Sequence, residues 1–124
     1  HNWVTVNLQN SYSSTPVVVA KPPTFDGVDP SVVRLKSIGN SSFQIRVQEF
    51  EYKDGSHANE TLNYVVLKTG VHSLDGSVKM IAGTKNTDKN HVSNDCGNGE
   101  NDDKSVNFSS SFSSTPVVIS SVQT

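Results

Sequence analysis

A single cysteine, Cys96, stands in 124 residues, so no disulfide can close within the chain, and this thiol is either free or pairs with a cysteine outside it. No apolar run approaches the roughly 18 residues that a membrane-spanning helix needs, and insertion into a bilayer is not expected. Lysine and arginine are few, 10 against 12 acidic residues, and form no run along the chain that could track a phosphate backbone, which argues against nucleic acid as a partner. The patterns of familiar catalytic chemistry are also missing. There is no Gly-x-Ser-x-Gly elbow, no phosphate-cradling glycine loop and no nucleotide fingerprint. The expectation is a binding or structural protein, not an enzyme. The chain opens on His1 with no apolar segment behind it, as a mature or excised piece would.

Apolar residues make up only 33%, while Ser, Thr, Asn and Val are abundant, a balance that suits turn-rich β structure better than a helical bundle. The stretch NWVTVNLQ alternates, with Val4, Val6 and Leu8 on one face and Trp3, Thr5, Asn7 and Gln9 on the other. SYSSTP makes a turn, VVVA a short β-branched strand, and KPPTFDGVDP a long surface loop that its prolines keep out of any ladder. SVVRLKSI leads through Gly39-Asn40 into SFQIRVQEFEY, with Phe43, Ile45 and Val47 on one side and a bulge expected around Glu49. TLNYVVLKTG reads as a strand ended by Gly70, and GSVKMIAGT as a weaker one after Asp75-Gly76. Strands spaced by turns, without a helical window, predict an all-β antiparallel β-sandwich.

The chain also repeats itself. At an offset of one hundred, residues 5–24 and 105–124 agree at ten positions, including Ser13-Ser14-Thr15-Pro16-Val17-Val18 against Ser113-Ser114-Thr115-Pro116-Val117-Val118. Self-similarity at a fixed offset marks a tandem array. The expected organisation is a unit over 1–84, a polar acidic linker over 85–104, and over 105–124 the first two strands of a following repeat or of a strand exchange. Two strands alone bury too little apolar surface to be stable, so this pair needs a partner.

The order of Trp3-Val4, Thr15-Pro16-Val17-Val18, Val33-Arg34-Leu35, Ser42-Phe43 and Tyr64-Val65 resembles the H-type lectin domain over about residues 1–70. The continuation Asp54-Gly55-x-His57-x-x-Glu60-x-x-x-Tyr64 is similar to extracellular repeat modules found in tandem in large surface proteins and polysaccharide-active enzymes. The resemblance implies a six-stranded antiparallel sandwich that self-associates and, in the lectins, binds galactose or N-acetylgalactosamine between subunits. Where the lectins commonly carry a sugar-contacting Trp, this sequence reads Gln48-Glu49-Phe50-Glu51-Tyr52.

Sugar recognition needs an aromatic face for the apolar side of the ring and planar polar groups for its hydroxyls. Gln44, Arg46, Gln48, Phe50 and Tyr52, with Asp26 from the proline-rich loop, provide that chemistry and are the candidate carbohydrate site; a plain solvated strand face is the alternative. His57, Glu60 and Tyr64 are read as a structural cluster that fixes a turn, since HANE lacks the second histidine of a zinc-protease helix. Asp95, Asn98, Glu100, Asn101, Asp102 and Asp103 are oxygen ligands of the kind calcium prefers, but their spacing matches no calcium loop, so no metal or other cofactor is assigned. Asn40, Asn59 and Asn107 open N-glycosylation sequons.

Two functions follow as expectations. One is an extracellular, secreted or cell-surface carbohydrate-binding module of a repeat or oligomeric protein. The other is a structural repeat of an extracellular filament or surface layer, self-associating through edge strands exchanged between units.

Overall fold

The computed structural model describes residues 2–21, 23–24, 26–50, 58–76, 78–86 and 105–123. Among these, the chain forms seven β-strands and no helix: β1 (Val4–Asn7), β2 (Val17–Ala20), β3 (Ser31–Lys36), β4 (Ser42–Glu49), β5 (Tyr64–Leu67), β6 (Gly70–Leu74) and β7 (Val78–Ala82). All ladders between them are antiparallel. They build a three-stranded sheet in the order β1-β4-β3 and two strand pairs, β2-β5 and β6-β7.

The three-stranded sheet and the β2-β5 pair face each other across one core, as an antiparallel sandwich does. Val18 and Ala20 come from β2, Leu35 from β3, and Phe43 and Ile45 from β4; Val6, Leu8, Val33, Ile38, Leu62 and Val66 pack around them. Phe43, Leu35, Val18 and Pro16 are the largest side chains wholly removed from water. Tyr64 meets Phe43 edge to face at 5.1 Å, a favoured aromatic geometry. Tyr12, in the turn after β1, donates from its hydroxyl to Val66 O at 3.2 Å and so ties that turn to β5.

In β4 the period-two alternation carries through to the last residue. The β3-β4 ladder runs without a break from Lys36↔Gln44 to Ser31↔Glu49, so the bulge expected around Glu49 is absent. The consequence is that Glu49 points inward with Phe43, Ile45 and Val47. It is 6% exposed, and neither carboxylate oxygen has a hydrogen-bond partner.

The segment after β5 also differs from expectation. The single strand expected over TLNYVVLKTG is only Tyr64–Leu67. Gly70, at φ 131°, then opens a further strand that pairs with β7 from Gly70↔Ala82 to Leu74↔Val78. Asp75 and Gly76 make its turn at φ 47° and 72°, a left-handed conformation that glycine adopts freely and aspartate more readily than most residues. β6 is hard to see in sequence because His72 and Ser73 interrupt its apolar residues.

The repeated C-terminal segment is not the strand pair its sequence predicts. Residues 105–122 form no strand, and the segment's one ladder contact is a parallel bridge between Leu35 and Gln123. The reason is competition for partners, because the edges of β4 and β5 that hold residues 4–7 and 17–20 are already occupied by the first copy. Among the described residues the outer edges of β2 and β3 carry no strand. Lys21 N–H donates to Asn63 O on the β5 side, which turns the amide and carbonyl of Ala20 to the other edge, and there Ser121 Oγ accepts from Ala20 N and donates to Ala20 O at 3.0 and 3.1 Å. The bridge to Gln123 lies on β3. Residues 121–123 therefore seat where β2 and β3 both lack a neighbour, and Lys79 holds the tail further back through Ser110 Oγ and Ser111 O.

Candidate functional site

The outer face of the three-stranded sheet gathers the polar residues of three strands. Because Phe43, Ile45 and Leu35 turn inward, Gln44, Arg46 and Gln48 of β4 and Arg34 and Lys36 of β3 turn outward. Register sets their neighbours: Arg34 lies directly opposite Arg46, Lys36 opposite Gln44, and Thr5 opposite Gln44 on the other side. Trp3, one residue before β1, completes the face. Its ring has Lys36 Nζ at 4.2 Å and Arg46 Cζ at 4.5 Å from the centroid, both within reach of the ring's negative face. Arg46 donates from Nη2 to Gln48 Oε1 at 2.7 Å, while its Nε is buried and unpartnered. Gln44 Nε2 reaches Thr5 Oγ1 at 3.4 Å.

Of the candidate sugar-contacting residues, Gln44, Arg46 and Gln48 thus share one face. Phe50 follows the last residue of β4 and is 45% exposed, and Tyr52 lies outside the described residues. Asp26 belongs to a different cluster, built around Glu60. The Glu60 carboxylate accepts from the backbone amides of Asp26, at 3.1 Å, and Gly27, at 2.8 Å, and from the Thr24 hydroxyl. Thr24 Oγ1 also lies 3.0 Å from Asp26 Oδ2 and accepts from Thr61 N at 3.0 Å. One hydroxyl proton serves both carboxylates, so Thr24 donates to one at a time. This clamp fastens the proline-rich loop to the segment leading into β5.

The expected trio of His57, Glu60 and Tyr64 is described only in part. Glu60 sits in the loop clamp and Tyr64 against Phe43, and His57 lies outside the described residues. The six oxygen donors from Asp95 to Asp103, and Cys96, also lie outside them. Among the described residues no group of three or more His, Cys, Asp or Glu side chains is placed to hold a metal ion. Asn40, Asn59 and Asn107 are exposed, as a glycan acceptor must be. No helix among the described residues is long and apolar enough to cross a membrane.

Sequence reasoning missed Trp3, Arg34 and Lys36 as partners of Arg46. Alternation alone places each on a polar face of its own strand. That these are one face depends on β1 and β3 flanking β4, which no local pattern reveals.

In comparisons with known proteins, the chain is 36% identical over 94 residues to halomucin of Haloquadratum walsbyi. The match takes in 69% of this chain and 1% of the relative, which is therefore a very much longer protein. No protein-family model and no solved structure matches the chain.

Proposed function

We propose that the chain is a repeat module of a long extracellular surface protein, whose copies connect through residues 105–123. One observation carries this. Pro16-Val17-Val18 and Pro116-Val117-Val118 are the same sequence in the same local context, yet Val17 and Val18 are 6% and 1% exposed while Val117 and Val118 are 88% and 71% exposed. Burying a valine is worth about 1.5–3 kcal/mol. A second copy of a core strand left in water is therefore poised to bind whatever offers it an unoccupied β4 and β5. The likeness to a small fraction of a very long relative, whose name is that of a mucin, supports a modular surface protein. Such a contact joins unlike surfaces, so it propagates unless its rotation closes a ring. Electron microscopy and light scattering of the full chain should reveal assemblies that disappear when residues 105–124 are deleted. Assemblies that survive the deletion would overturn the strand-exchange reading.

The outer face of the three-stranded sheet favours a second activity, carbohydrate binding, because it sets one indole among side chains able to bond several hydroxyls. The resemblance to H-type lectins supports the same reading. Calorimetry with galactosides, N-acetylated sugars and acidic polysaccharides tests it, and the absence of binding to all of them at millimolar concentration would remove it.

A further inference from the structure

The face around Trp3 is unusual in its charge. The chain's single tryptophan and its only two arginines meet there, and Lys36 adds a third cation. Among the described residues no carboxylate is paired with Arg34, Lys36 or Arg46, although the chain as a whole carries a net charge of −2. Arg34 and Arg46 are direct cross-strand neighbours, and like charges in that position destabilise a sheet. The indole offsets part of this, because its negative face attracts Lys36 and Arg46. It does not neutralise the charge.

We propose that this face binds an acidic polysaccharide, with the carboxylate or sulfate groups of the sugar held by Arg34, Arg46 and Lys36. The proposal rests on the carbohydrate reading above and names its ligand class. Two arginines at directly opposed strand positions provide planar donor forks that match carboxylate and sulfate oxygens. Gln44, Gln48 and Thr5, which border them, supply neutral donors and acceptors suited to ring hydroxyls. The indole carries two cations over it, so a neutral sugar stacking on Trp3 would have to displace one of them, whereas an anionic sugar gains from both. A phosphate backbone fits less well, because its affinity comes from a long row of cations and this face has three.

The test is calorimetry on the full chain at low salt with four probes: polygalacturonate, dextran sulfate, neutral dextran with galactose, and duplex DNA. Expected are binding to the first two, weakening as salt is added, and about a ten-fold loss of affinity in Arg34→Gln and in Lys36→Gln, as when one charge-assisted contact is removed. Both variants should melt within a few degrees of the parent, Arg34→Gln slightly higher because it relieves a like-charge pair and Lys36→Gln slightly lower because it loses its contact with the Trp3 ring. Binding to galactose or dextran as tight as to polygalacturonate would leave the carbohydrate reading standing and overturn this one. Acidic-glycan binding unchanged in both variants would overturn the placement. Duplex DNA bound as tightly as the glycans would reduce the face to an unselective cationic patch, and no binding to any probe would overturn both readings.

Discussion

Glu49 is a carboxylate facing a hydrophobic core with no hydrogen-bond partner on either oxygen. A buried polar group left unpaired costs about 1–3 kcal/mol, and more when charged. Glu49→Leu should therefore stabilise the fold by about that amount, read as a rise in the denaturant midpoint at unchanged slope; a fall would mean that the carboxylate meets a compensating charge. Phe43 lies at the opposite extreme, fully buried between the sheets and in edge contact with Tyr64. Phe43→Ala should cost about 3–5 kcal/mol, enough to unfold a domain of ordinary stability. Glu60 acts more locally, because its bonds to Asp26, Gly27 and Thr24 close a loop and contribute nothing to the core. Glu60→Ala should leave the melting temperature within a few degrees of the parent while making the loop over residues 21–30 a site of early proteolysis, which limited chymotrypsin digestion after Phe25 would detect.

At the scale of elements, the two copies of the Pro-Val-Val strand form a controlled pair. Val18→Ala removes two methyl groups from a packed core and should destabilise by about 2 kcal/mol. Val118→Ala changes an identical residue in a near-identical context at an exposed position, and should stay within about 0.5 kcal/mol in the dissociated chain. Equal effects in denaturation experiments would mean that the tail is packed as a strand in solution. The hairpin β6-β7 stands between these cases. It leaves Val71, Leu74 and Val78 about half exposed and buries only Ala82 among its apolar side chains. Gly76, at φ 72°, has no neighbouring atom that an added methyl would strike, so Gly76→Ala should cost about 1–2 kcal/mol through backbone conformation alone.

Across the whole molecule, these differences predict a gradient of protection. Amides of β2-β5 and β3-β4, which flank the buried cluster, should exchange most slowly, those of β6-β7 faster, and those of residues 105–120 fastest. In an assembled state the last group should become as protected as β1 and β2, because it would then occupy the same kind of site. Hydrogen exchange below and above the assembly concentration measures this directly, and a tail unprotected in both conditions would place the contact between copies elsewhere.

The repeat separates local from tertiary information within one molecule. In both copies the chain bends at the same places, residues 9–10 and 13–14 in the first and 109–110 and 113–114 in the second, so the Ser-rich turn is set by its own residues wherever it stands. Phe108 and Phe112, replacing Leu8 and Tyr12, meet edge to face at 5.3 Å, a contact that also needs only local chain. The all-β class, the alternating faces of β3 and β4 and the proline-rich loop were legible for the same reason. They depend on side-chain period and on the restricted backbone of proline and glycine. Strand formation at Val17-Val18-Val19 but not at Val117-Val118-Ile119 was not legible, because a strand exists only when another strand takes its hydrogen bonds, and the partner β5 lies about fifty residues away in the sequence, its edge toward the core strand already held by the first copy. The union of Trp3, Arg34, Lys36 and Arg46 likewise depends on which strands flank β4. The sequence determined the turns and the two faces of each strand; the tertiary structure alone decided which strands found partners and which charges became neighbours, because backbone pairing across a sheet is settled by competition among distant segments for a limited number of edges.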